Sequence, residues 1–394
     1  MLNWFNLKSG LRQGASYLYE LECLRGIAIL LVFFSHTHGV VFGNRPHQPS
    51  LLMSYIVSGN TGVTLFFVLS GFLLSLPWLN YLRGARSSPP NIAHFYRARA
   101  LRIIPLYWAA VLVSIVLTGK LASGVKAAGF LFVGFDMFPY SVVWWTLATE
   151  VQFYILLPLC FLAWINGGVT RTLLLLAFGV WLYSYTALII FGQVPENQLS
   201  YFYNKSIFGR LPAFLFGIGA AWLYLHLKAL MISGGQKIGV TVASTILCIL
   251  LISTLGLVLQ TSSNLGERYA ENHWHIRHTY ESALWAAIVL CFVIARPLGS
   301  TLLINRPTAI IGKLSYSLYL IHVPVIFYLI YPAKETMGVE QYSNSPWLFV
   351  NPALALVASL VLSVISYRLI ELPFLNLKRR VPESHSGVNS FGRE

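Results

Sequence analysis

The chain has 394 residues, of which 56% are apolar and only 10% charged, and its mean hydropathy is +0.66. A soluble domain of this length needs far more polar surface, so composition excludes a water-soluble globular protein. The net charge of +14 comes without any nucleic-acid-binding motif and falls between apolar runs, so it reads as a topology signal and no nucleic-acid partner is expected. The runs are long and lack the short alternating segments of a barrel, which predicts an all-α membrane protein, a polytopic bundle of about ten transmembrane helices.

In chain order, the first twenty residues carry Lys8 and Arg12 among Trp4, Phe5, Leu11, Tyr17 and Leu18. They lack a cleavable signal pattern and read as an interfacial lead-in, residues 1–20. A transmembrane domain is expected over 21–373, with spans near 26–43, 62–82, 103–119, 144–165, 172–191, 211–227, 238–260, 281–296, 314–331 and 347–367. The eighth is the weakest, bounded by Glu281 and Arg296, and must be short, tilted or shielded inside the bundle. The apolar piece 127–135 is too short to cross and reads as re-entrant or interfacial. A basic then polar tail follows at 374–394. Cys23, Cys160, Cys248 and Cys291 lie in or beside apolar runs without metal or redox spacing and read as small core residues. Placing the N-terminus in the cytoplasm puts nineteen of the 27 lysines and arginines on that side, and an even span count then makes both termini cytoplasmic.

The polar residues inside apolar runs carry the functional signal. In L-E-C-L-R-G-I-A-I-L-L-V-F-F-S-H-T-H-G, residues 21–39, Glu22 and Arg25 open the segment and nothing ionisable follows until His36. A helix puts His36 about 16 Å beyond Arg25, near the middle of a hydrocarbon core about 30 Å thick. An imidazole at that depth faces a cavity or a partner, its plainer role being a hydrogen bond between helices. Glu150, in W-W-T-L-A-T-E-V-Q-F-Y, must be paired, hydrogen-bonded or protonated, as a functional carboxylate or as a tether. On the ninth span Ser315, Tyr319 and His322 fall at i, i+4 and i+7, which aligns a hydroxyl, a phenol and an imidazole on one helix face. The loop H-F-Y-R-A-R-A-L-R-I-I-P holds Arg97, Arg99 and Arg102. Arg99 and Arg102 share a face and suit bidentate phosphate binding, or else topology and lipid headgroups. His273, His275 and His278 crowd the loop expected at 261–280, but their spacing matches no established site and no metal is expected.

Together these motifs resemble the acyltransferase-3 family of integral-membrane O-acyltransferases, from about Leu21 to Pro373. The resemblance rests on L-E-C-L-R-G-I-A with Arg25 and His36, on G-V-T-L-F-F-V-L-S-G-F-L at 62–73 and on R-A-L-R-I-I-P at 99–105. It rests equally on W-T-L-A-T-E-V-Q-F-Y at 145–154, G-K-L-S-Y-S-L-Y-L-I-H-V-P at 312–324 and the closing Glu371-Leu-Pro373. It implies a protein of the bacterial cytoplasmic (inner) membrane that transfers an acyl group, most often acetyl, from cytoplasmic acyl-CoA to a hydroxyl of a carbohydrate or glycolipid acceptor. Acetyl-CoA would be a substrate rather than a bound cofactor. Carried over by position, His36 is the catalytic histidine and Arg25 its partner at the cytoplasmic mouth. Arg99 and Arg102 line the donor site, and Glu150, Ser315 and Tyr319 support the pocket, with His322 on the same substrate-facing stretch.

The residue types fit that chemistry. A sugar hydroxyl is a poor nucleophile at neutral pH, and a neutral imidazole within hydrogen-bond reach takes its proton as it attacks the thioester. A carboxylate such as Glu150 would stabilise the imidazolium that forms. Ser35, Ser70 and Ser315 leave an acyl-enzyme route open beside direct transfer. The chain departs from the family in Thr64, where many members carry an aspartate, in Thr146 for serine, and in Val151 for a second glutamate. With only residues 375–394 after the last span, transfer is expected to finish within the membrane domain or to pass to a separate periplasmic transferase. The rival reading is a proton-coupled transporter or flippase, with His36, Glu150 and His322 as a relay. No two-fold repeat or pair of broken spans supports it.

Overall fold

The structure, a computed structural model, describes residues 18–43, 49–187, 205–231, 238–265 and 273–379. Most of the expected lead-in and most of the tail lie outside the described residues. The described α-helices of eight residues or more are α1 (Tyr19–Phe42), α2 (Thr61–Leu82), α3 (Ile92–Thr118), α4 (Leu121–Ala128), α5 (Trp144–Asn166) and α6 (Gly168–Tyr185). They continue with α7 (Ile207–Met231), α8 (Ile238–Leu265), α9 (His273–Ile294), α10 (Arg306–Met337), α11 (Trp347–Ser366) and α12 (Leu372–Arg379). Among the described residues there is no strand, as expected where backbone groups must be satisfied within each segment.

Eight described helices are long and apolar enough to cross a membrane. The two other spans expected from sequence, 172–191 and 281–296, fall on α6 and α9. The first runs past residue 187, out of the described residues. Helix α9 starts eight residues earlier than expected, so His273, His275 and His278 are helical rather than part of a loop. Its charges are shielded: Arg277 and Glu281 are 8% and 1% exposed and form an ion pair with each other. Residues 127–135 form no spanning helix. The short helix α4 ends at Ala128 and the chain then turns, with Phe130 at φ 59°. The Tyr107 hydroxyl and the Trp108 indole of α3 donate to Ala127 O (2.9 Å) and Ala128 O (3.1 Å), pinning this piece to α3.

Two helix pairs organise the bundle, and both cross at glycines. Lipid gives apolar helices little reason to associate, so close van der Waals approach at small residues does that work. A methyl group on Gly26 of α1 would overlap Thr308 O of α10, and one on Gly312 would overlap Glu22 O. A methyl group on either glycine would also meet the other's backbone nitrogen, and His36 touches His322 ten residues further along both helices, so α1 and α10 run parallel. Helices α2 and α7 repeat the arrangement, with Gly71 against Phe214 O and Gly217 against Val68 O. Beyond α11 a π-helical turn, Tyr367–Glu371, carries the buried Glu371 back towards α10.

Candidate active site

The parallel crossing of α1 on α10 fixes which residues meet further along. Gly26 and Gly312 are 286 positions apart, and so are His36 and His322, whose Nδ1 and Nε2 atoms lie 3.1 Å apart. The two mid-helix histidines therefore form a pair, with ring centroids 5.0 Å apart and planes at 60°. His322 is fully buried, and its Nδ1 lies 3.0 Å from Leu318 O and 2.9 Å from Tyr319 O. His36 is half-buried, with Nδ1 3.0 Å from Val32 O. His38 turns away and lies beside Phe42, with ring centroids 4.9 Å apart.

Below the pair, Tyr319 lies 5.7 Å from His322 between ring centroids, and its hydroxyl shares a 2.8 Å hydrogen bond with Thr146 Oγ1 of α5. Tyr319 and Thr146 form one end of a partly open cavity, and Arg25, Ser315, Ser70 and Glu150 line its remainder. Phe66, Phe67 and Leu69 of α2 supply an apolar wall. A mostly apolar compartment with a few convergent polar groups has the character of a small-molecule site.

Glu150 lies in this cavity and not on the histidine pair. Its Oε1 accepts from Ser70 Oγ at 2.9 Å and from the Tyr154 hydroxyl. His36 has an imidazole partner where the chemistry read from sequence allowed a carboxylate. Arg25 reaches the cavity from α1, its Nη2 donating to Ser315 Oγ at 3.5 Å. Arg99 stands over the Tyr154 ring, its guanidinium carbon 5.8 Å from the ring centroid. Arg102 sits among Glu371, Glu22 and Glu150, and the charges of Arg25 and Arg99 both feel it. The three arginines from two helices thus gather at one end of the cavity, while Arg97 is exposed and faces away. The Nε atoms of Arg25 and Arg99 are buried without a hydrogen-bond partner among the described residues. Buried donors of this kind are rare unless a ligand completes them. Of the candidates read from sequence, Arg25, Ser315, Glu150 and Tyr319 line the cavity, His36 and His322 pair beyond Tyr319, and Arg99 lies beside Tyr154 with Arg102 close to both other arginines.

Several contributors were not singled out beforehand. Ser317 donates to Glu371 from the π-helical turn, and Tyr154 carries both Glu150 and Arg99. A further buried polar group lies against α2. Thr64 Oγ1 is 3.0 Å from His278 Nδ1 and donates to Glu281 Oε2 at 3.4 Å, while Arg277 donates to Asn60 Oδ1 at 3.3 Å. Where the resemblance led to an aspartate missing at Thr64, a carboxylate reaches the same spot from α9. The signal in sequence was Arg277 and Glu281 at i, i+4 before an apolar run, hidden because the segment looked like a loop. Beside it Lys205 and Arg210 bracket Trp145, their cationic centres 4.2 and 4.9 Å from its ring.

Fold and site together define a polytopic helical membrane protein with a partly polar cavity beside a mid-helix histidine pair. The chain belongs to the acyltransferase-3 family, whose acyltransferase domain matches residues 18–368. It is 25% identical over 382 residues to the O-acetyltransferase OatA of Staphylococcus aureus strain NCTC 8325, a match covering 91% of this chain and 57% of that protein. It is 24% identical over 402 residues to the peptidoglycan O-acetyltransferase OatA of Listeria monocytogenes serovar 1/2a, covering 93% and 57%. The chain thus spans a little over half the length of these relatives. No solved structure matches it.

Proposed function

We propose that this chain is an O-acetyltransferase of the bacterial cytoplasmic membrane. It moves an acetyl group from acyl-CoA, bound at the arginine end, to a hydroxyl of a cell-wall carbohydrate. The observation that supports this reading is the succession of polar groups from Arg99, Arg102 and Arg25, through Ser315 and Glu150 in the cavity wall, to Tyr319 and the histidine pair behind it. Guanidinium groups suit the phosphates of coenzyme A, and their partnerless Nε atoms are donors in want of acceptors. The cavity's apolar wall suits the uncharged pantetheine arm, and Tyr319 separates the cavity from the histidines. The peptidoglycan named for the Listeria relative makes a wall glycan the first acceptor to test.

In the reaction the acceptor oxygen attacks the thioester carbonyl while His36 takes its proton. Collapse breaks the carbon–sulfur bond, and the same proton passes to the departing thiolate. The products are the acetyl ester and free coenzyme A, with the histidine returned to its neutral form. Direct transfer needs no group beyond those in that succession. Glu150, held by Ser70 and Tyr154, balances the arginine charges at the donor end.

The test uses purified full chain in nanodiscs with acetyl-labelled CoA and soluble wall-glycan fragments. Wild type is expected to move label to glycan and release coenzyme A. His36→Ala should bind donor without transfer, and Arg99→Ala should lose donor binding. Transfer by His36→Ala at the wild-type rate would remove His36 from the chemistry. Full complementation of a deletion strain by that variant would favour the transporter reading.

A further inference from the structure

Resting on the reading of His36 as the base, we infer that His322 is a positioning residue that holds His36 in its Nδ1–H tautomer and leaves His36 Nε2 as the proton-accepting atom. The argument starts from acceptors that cannot donate. His322 Nδ1 lies 3.0 Å from Leu318 O and 2.9 Å from Tyr319 O, and both are carbonyls, so Nδ1 carries the proton. In the neutral ring His322 Nε2 is then a lone pair, and it faces His36 Nδ1 at 3.1 Å. His36 Nδ1 must therefore donate. Val32 O, 3.0 Å from the same atom, shares that N–H as a second acceptor and agrees with the assignment. With Nδ1 protonated, His36 Nε2 is the free lone pair.

The arrangement survives the reaction without rearranging. When Nε2 takes the hydroxyl proton, His36 Nδ1–H still donates to His322 Nε2 and Val32 O, now as charge-assisted bonds. Neither ring has to flip, and His322 keeps its own proton on the carbonyls of α10. An imidazole in the orienting position also adds no charge to the middle of a hydrocarbon core, where a carboxylate is costly. The register of the pair is set 10 residues away, where Gly26 and Gly312 let the two backbones touch. His322 is thereby distinct from a group that contacts either substrate.

The test is solid-state nitrogen NMR on histidine-labelled full chain in lipid, together with kinetics. In wild type, a cross-peak between ring nitrogens of two different residues identifies the pair, with no variant needed. The expected result is a protonated Nδ1 and bare Nε2 on both rings; a His36 protonated on Nε2 overturns the inference. In His322→Phe, which keeps a ring but offers no acceptor, His36 should lose its single tautomer. kcat should fall about 10²-fold while KM for acetyl-CoA stays within about twofold, the scale of losing an orienting partner. His322→Gln restores a carbonyl acceptor and should recover to within about tenfold of wild type. Equal loss in Phe and Gln variants, or a His36 tautomer unchanged in His322→Phe, also overturns it. Failure of the base reading looks different: His36→Ala would then stay active, whatever the tautomer.

Discussion

The two glycine-crossed helix pairs are built alike and serve different ends. On α1 and α10 the residues beyond the crossing are His36 and His322, two imidazoles that exchange a hydrogen bond. On α2 and α7 the neighbourhood of the crossing is filled by rings, with Phe214 stacked 4.8 Å from Phe67 and 4.0 Å from Phe153. The polar groups near α2 form an ion pair on α9 that Thr64 only touches. A backbone contact between small residues is therefore a way to set register, and the side chains placed by that register decide whether a pair is scaffold or site. Beyond the α1–α10 crossing the paired groups are imidazoles close to the cavity that Arg25 and Glu150 line, whereas the buried charge on α9 is paired within its own helix.

Breaking the ion pair should expose the scaffold side most. Glu281→Gln removes the carboxylate facing Arg277 inside the bundle and should lower stability by about 3–5 kcal/mol, read as a drop in Tm in detergent. Activity per folded molecule should be nearly unchanged. An inactive but fully stable variant would make this cluster part of the site. The next effect compares the crossings directly. Gly312→Ala and Gly71→Ala each push a methyl into a carbonyl and should each cost about 1–3 kcal/mol. Only Gly312→Ala should also reduce acetyl transfer, by about 10²-fold, because it shifts the histidine register. Equal activity loss in both would mean that the crossings are not functionally distinct.

A smaller effect is expected at the carboxylate. Glu150→Gln keeps the hydrogen bonds from Ser70 and Tyr154 but removes the charge, and should lower kcat/KM for acetyl-CoA about tenfold without altering the His36 tautomer. A loss as deep as that of His36→Ala would return Glu150 to the centre of the chemistry. The smallest change is at Tyr319→Phe, which keeps the ring between cavity and histidines and loses a hydroxyl bonded to Thr146 Oγ1 at 2.8 Å and, more weakly, to Val143 O at 3.4 Å. Transfer should fall no more than about fivefold, the scale of one neutral hydrogen bond. Steady-state assays on the same nanodisc preparation measure both.

Composition and hydropathy determined the class, the helices and eight of the spans, because a hydrocarbon solvent leaves the backbone few solutions and demands long apolar runs. Motif order carried the family, and helical spacing put Ser315, Tyr319 and His322 on one face. Depth was legible too: counting residues from Arg25 placed His36 well inside the bundle. Contacts between helices were not legible, since the 286 positions separating the two histidines carry no periodicity that pairs them. Sequence reading left the partner of His36 open, with Glu150 as one carboxylate that could serve, and packing at Gly26 and Gly312 brings His322 to that place. The same holds for α9, whose Arg277 and Glu281 looked like loop charges until each was seen to neutralise the other inside the bundle. Sequence sets what each helix must bury; which groups meet depends on register between helices, and that is decided where two backbones come close enough to touch.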